Sequence, residues 1–108
     1  MLREPRFALD VAPPRGETTG VGVYIAKIVA EVGQRAPGQL ALLGVRPGGP
    51  FADVPAVART TLDGGRYLPW LLRHADRDAR RLCADLVHYP IAVAPLRTRV
   101  PYVATIHD

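Results

Sequence analysis

FALDVAPPRGETTGVGVYIAKIVAEV, residues 7–32, passes from a short apolar run through a proline- and glycine-rich loop into a helical repeat. Phe7-Ala8-Leu9-Asp10-Val11 is too short for a helix and is bounded by proline, which reads as a strand over residues 7–11. Residues 13–20 form the loop. Val21, Ile25, Ile28, Val29 and Val32 then recur on one face of a 3.6-residue period, predicting a helix over 21–32. Thr19 is positioned to cap it, Glu31 stands four residues before Arg35, and Gly33, Pro37 and Gly38 are expected to end it. A strand, a loop and a helix in this order are the first half of a parallel βαβ unit.

The same punctuation continues outward. Residues 39–45 are a continuous apolar run, the mark of a strand buried on both faces. Residues 46–50 are a turn, 57–61 a third strand, and Asp63-Gly64-Gly65 a second turn. One helix is expected over 68–83, its apolar stripe formed by Leu68, Leu71, Leu72, Ala75, Ala79 and Leu82. Strands follow over 85–89 and 102–107, joined by a proline-marked connection. The order β-α-β-β-α-β-β predicts an α/β protein, a Rossmann-like open and mostly parallel sheet flanked by helices. Right-handed crossovers give the strand order 3-2-1-4-5. Two helices are few for two faces of five strands. Residues 1–108 therefore read as a single partial domain, its apolar sheet face completed by a neighbour or by further chain, and prone to self-association if left open.

Composition narrows the classes. The chain has 108 residues, one domain's worth, with 48% hydrophobic and 22% charged residues, a globular balance. The net charge of +4 comes almost wholly from arginine, Lys27 being the one lysine, a bias typical of GC-rich coding sequence. The basic residues are scattered and aromatic residues are only 6%, which speaks against nucleic acid as a partner. On helix two, Arg73, Arg77, Arg80 and Arg81 alternate with Asp76 and Asp78, as on an ordinary solvated face, although peripheral membrane contact is conceivable. Cys83 as the sole cysteine excludes an internal disulfide or a CxxC motif, and its place beside the apolar stripe reads as core. With no transmembrane-length run and no signal-peptide pattern, the expected location is cytoplasmic.

Ligands of open parallel sheets bind outside the carboxyl ends of the strands, where the strand order reverses. Here that point lies between strands one and four. Three segments converge on it: the loop with Gly20 and Gly22, His88-Tyr89-Pro90, and His107-Asp108. Glycines before a helix let backbone N–H groups approach an anion, or simply allow a tight turn. The pattern is not a dinucleotide fingerprint, because Ile25 stands at the third glycine position and Arg46 stands where a ribose-binding acid belongs. His107 at a strand end can donate to a sugar hydroxyl or polarise a leaving group, or be a structural histidine. His74, His88 and His107 lack metal-ligand spacing, so no metal is expected. The chain contains no serine, which removes a serine nucleophile.

Four segments in order carry a resemblance. They are Phe7-Ala8-Leu9-Asp10, Thr19-Gly20-Val21-Gly22-Val23-Tyr24, Ala84-Asp85-Leu86-Val87-His88-Tyr89-Pro90, and Pro101-Tyr102-Val103-Ala104-Thr105-Ile106-His107-Asp108. Together they resemble the N-terminal, acceptor-side domain of glycosyltransferase family 4. The resemblance implies a two-domain GT-B enzyme that transfers a sugar from a nucleotide-sugar donor to a small-molecule, glycan or lipid acceptor, with retention at the anomeric carbon. It implies no cofactor beyond the nucleotide-sugar co-substrate. It makes His107 the residue facing the transferred sugar, and Gly20, Gly22, His88 and Asp108 substrate-binding. The family's paired glutamates, E-x7-E in a C-terminal domain, have no counterpart in these residues, so the 108-residue chain is expected to be inactive alone. The alternative reading is a non-catalytic α/β module that binds phosphate or a nucleotide through the Gly20–Gly22 loop.

Overall fold

The computed structural model describes residues 4–13 and 20–105. Five strands form one sheet in the order β3-β2-β1-β4-β5. They are β1 (Phe7–Asp10), β2 (Leu40–Val45), β3 (Ala58–Thr61), β4 (Leu86–Tyr89) and β5 (Tyr102–Ala104). All four pairings are parallel, so the Rossmann-like sheet is wholly parallel. All six residues of β2 are buried, as its unbroken apolar run requires of a strand covered on both faces.

Helix α1 (Gly20–Arg35) covers one face, packing Ile25 and Val29 on Leu9, Leu40 and Leu42. It runs through Gly33, which was expected to end it. The roughly 1 kcal/mol that an interior glycine costs is outweighed by the apolar face that precedes it, Ile25, Val29 and Val32 on the sheet. The helix stops where Pro37 forces Ala36 out of the helical region. The Glu31–Arg35 pair forms at 3.2 Å but is solvent-exposed and contributes little.

The opposite face is covered by α2 (Tyr67–Arg73) and α3 (Ala75–Arg81), which replace the single helix expected over 68–83. The break at His74 (φ −124°) turns α3 so that Asp76 and Asp78 are buried. This corrects their reading as part of a solvated face. Asp78 accepts a 3.0 Å bond from the Trp70 indole, and Asp76 accepts from the backbone N–H groups of Arg99 and Val100. Burial of these carboxylates is offset by those donors. Asp76 thereby ties the connection between β4 and β5 to α3. Leu68, expected on the apolar stripe, is 51% exposed.

Cys83 is exposed, not core. It adopts φ 57° just after α3. Its N–H bonds to the Arg80 carbonyl while the N–H of Ala84 bonds to the Ala79 carbonyl. This is a Schellman cap, with cysteine at the left-handed position that glycine normally takes. Cys83→Gly should therefore stabilise the fold by roughly 1 kcal/mol. A thermal midpoint unchanged or lowered by that substitution would refute the assignment.

Edge strand β5 leaves Tyr102 and Val103 half-exposed. Among the described residues no helix is long and apolar enough to cross a membrane.

Candidate functional site

Parallel strands bring their carboxyl ends to one edge of the sheet, where residues of α1, of β4 and after β5 meet. Tyr24, one turn into α1, reaches across to β4 and the end of β5. Its hydroxyl lies 3.2 Å from Nε2 of His88 and 3.0 Å from Oγ1 of Thr105. His88 Nε2 and Thr105 Oγ1 are themselves 2.7 Å apart. The Tyr24 and His88 rings meet edge to face at 5.8 Å. Two hydroxyls and an imidazole nitrogen in mutual hydrogen-bond reach can pass a proton among themselves. His88 is half-buried, so the group is open to solvent on one side. Tyr24 and Thr105 were not singled out from the sequence, though both lie inside segments that were.

Gly20 is the first residue of α1, and a side chain there would meet nothing within 4 Å. The fold itself therefore does not demand glycine at 20, contrary to the reading of a steric tight turn. His107 and Asp108, like Thr19, lie outside the described residues.

A second polar group sits at the end of β1. Asp10 is fully buried, pointing beneath α2. One carboxylate oxygen accepts 2.6 Å from the Tyr67 hydroxyl and the other 2.9 Å from the Ala12 N–H. Burial pushes the Asp10 carboxyl up to about 7, against the opposing pull of those two donors and of the Arg46 guanidinium. The same burial, with the neighbouring carboxylate, pushes the Tyr67 phenol upward. Tyr89 lies in the same core with its hydroxyl buried and without a hydrogen-bond partner among the described residues, and burial raises its pKa as well. An acid closing an otherwise apolar strand was the one signal of this cluster in the sequence.

Arg46 follows β2 directly. Its Nε and Nη2 donate to the Ala12 carbonyl and its Nη1 to the Gly65 carbonyl, which joins the loops after β1, β2 and β3. Above it opens a cleft of about 980 Å³ between α1 and the 46–51 turn. Gly22 lines this cleft; His88 does not. Two of the expected site residues are thus divided by α1: His88 lies with Tyr24 on the β4–β5 side, while Gly22 faces the cleft over β2.

The chain matches no family model, no curated protein and no solved structure. The reading of function therefore rests on the residues and their arrangement. Among the described residues no cluster of three histidine, cysteine or acidic side chains could hold a metal ion.

Proposed function

We propose that this chain is the acceptor-side part of a retaining glycosyltransferase acting on a nucleotide-sugar donor. The observation that carries the reading is the Tyr24–His88–Thr105 cluster. It joins by hydrogen bonds three of the four segments on which the family resemblance rests, the first of them more than sixty residues from the other two. The point where they meet lies beside the reversal in strand order, where ligands of such sheets bind.

In this reading the sugar–phosphate bond breaks as the bond to the acceptor oxygen forms, and the acceptor proton leaves with the departing diphosphate. Residues 1–108 hold the acceptor and present His107 to the sugar. Thr105, two residues earlier, is tied by hydrogen bonds to both β4 and α1. Most of the stabilisation of the departing diphosphate comes from a second domain.

The test uses the polypeptide encoded by the whole gene, with whatever follows residue 108 in frame. Given a panel of nucleotide-sugars, it should release nucleoside diphosphate. His107→Ala should lower that turnover at least about ten-fold without moving the thermal midpoint. Release with none of the donors, or an unchanged rate in the variant, would overturn the reading.

A further inference from the structure

The cleft beside α1 has a composition that the transferase reading does not explain. The charged side chains among its described lining residues are Lys27, Arg46 and Arg66, all cationic. Arg46 is held by backbone carbonyls and forms no ion pair within 4 Å among the described residues. The carboxylate nearest it in the fold, Asp10, is buried and already takes bonds from Tyr67 and Ala12. Asp10 takes up part of the positive field of Arg46, and Lys27 and Arg66 add to what an entering anion meets.

The walls are aliphatic. Val23, Ala26 and Ala30 line the α1 side, and Pro50 and Phe51 the opposite side. Val23 is 51% exposed, an apolar side chain turned into open space. The described lining holds no aspartate, glutamate, asparagine, glutamine, serine, threonine or histidine. Its one hydroxyl, on Tyr67, is spent on Asp10. Against the described lining a sugar or a nucleobase would bury hydroxyl and amino donors without side-chain acceptors, each at a cost of about 1–3 kcal/mol. A methylene chain needs no such partner. From Gly22 to Ala30 the helix wall runs about 12 Å, enough to flank an extended chain.

From this pairing of a cationic floor with walls whose described side chains are aliphatic we infer that the cleft binds an anionic amphiphile, an aliphatic chain ending in phosphate or carboxylate. The head sits at Arg46 and Arg66, and the chain runs between Val23, Ala26 and Phe51. On the transferase reading this ligand is the acceptor, but the binding does not depend on that reading. The test contains no donor sugar, so it can fail while transfer succeeds, and the reverse.

The 108-residue chain is titrated calorimetrically with monomeric decyl phosphate and, separately, with inorganic phosphate. Decyl phosphate should saturate one site and bind at least about thirty-fold more tightly than phosphate, because the chain removes apolar wall from water. Val23→Glu and Arg66→Gln alter exposed positions, so both should melt like the wild type. Each should weaken decyl phosphate at least about ten-fold, by a like charge against the head and by loss of a cation. Co-sedimentation with phosphatidylcholine vesicles containing phosphatidic acid, sensitive to the same two substitutions, would assign the ligand to a bilayer. Binding of the monomer without the vesicles would assign it to an amphiphile carried in solution, and both results support the site. Equal affinity for phosphate and decyl phosphate, wild-type binding by both variants, or no saturation at millimolar decyl phosphate would overturn it.

Discussion

Gly44→Val should leave a chain with no cooperative thermal transition above room temperature. Gly44 sits in the middle of β2 at φ +72°, and a Cβ there would lie 2.7 Å from the Ala12 Cβ and 2.9 Å from Cη2 of Trp70. Both neighbours are buried, and neither is the far end of a flexible chain. The left-handed conformation costs a non-glycine residue roughly 1–2 kcal/mol, more when it is β-branched. Overpacking adds about 1–3 kcal/mol. The sum, about 4 kcal/mol, is most of the margin of a marginally stable domain. The glycine also permits a bulge: the β2–β3 register shifts between Leu42 and Val45, and the Gly44 N–H, displaced from the ladder, bonds to the Thr60 hydroxyl at 3.0 Å. Gly64→Ala is the control. Gly64 has the same φ of +72° but open space around it, so only the backbone term should appear, about 1 kcal/mol. Similar losses at both positions would show that overlap with Trp70 and Ala12 is not what demands glycine.

Wild-type stability should fall as pH rises from about 4 to about 7, and Asp10→Asn should abolish that fall. In the unfolded chain Asp10 titrates near the ordinary value of about 3.9. Folded, burial holds it up to about 7. Between those values the unfolded chain has released a proton that the folded chain retains, so raising the pH favours unfolding. Integrated over the window at 1.36 kcal/mol per unit, the loss is roughly 4 kcal/mol, complete above about pH 7. The group is fully buried, so solvent screening does not reduce the effect. Asparagine can still accept from Tyr67 or Ala12 but does not titrate. Urea midpoints at pH 4.5, 6 and 8 for both proteins decide the matter. Parallel pH profiles would show that Asp10 is ionised in the fold throughout, with Arg46 and its two hydrogen-bond donors overcoming burial.

Both predictions concern the carboxyl edge of the sheet, and that is also where sequence and structure part. The strand order was legible because the relevant forces are local or generic. Residues 40–45 are apolar without a break, as suits a β2 buried on both faces. The stripe of Val21, Ile25, Val29 and Val32 marks the face that α1 lays on the sheet. Pro and Gly clusters mark the loops, and right-handed crossovers do the rest. The convergence of His88 with the start of α1 followed from that topology alone.

What the sequence could not decide depends on partners far along the chain. Asp76 and Asp78 sit in a pattern of alternating charge that reads as solvated. They are buried because Trp70, Arg99 and Val100 bring donors to them after α2 breaks from α3 at His74. Cys83 reads as core by its neighbours, yet the cap geometry turns it outward. Asp10 meets Tyr67, 57 residues on, and that meeting, with the Ala12 N–H and Arg46, makes an acid tolerable inside the sheet. The cleft draws its floor and walls from four separate segments, in which the sequence singles out Gly22 alone as a binding residue. The sequence by itself therefore determined the order and direction of the strands, since periodicity and turn chemistry act over a few residues. Only the tertiary structure decided which polar groups are buried and where a ligand fits, because burial and charge compensation are properties of groups brought together from a distance.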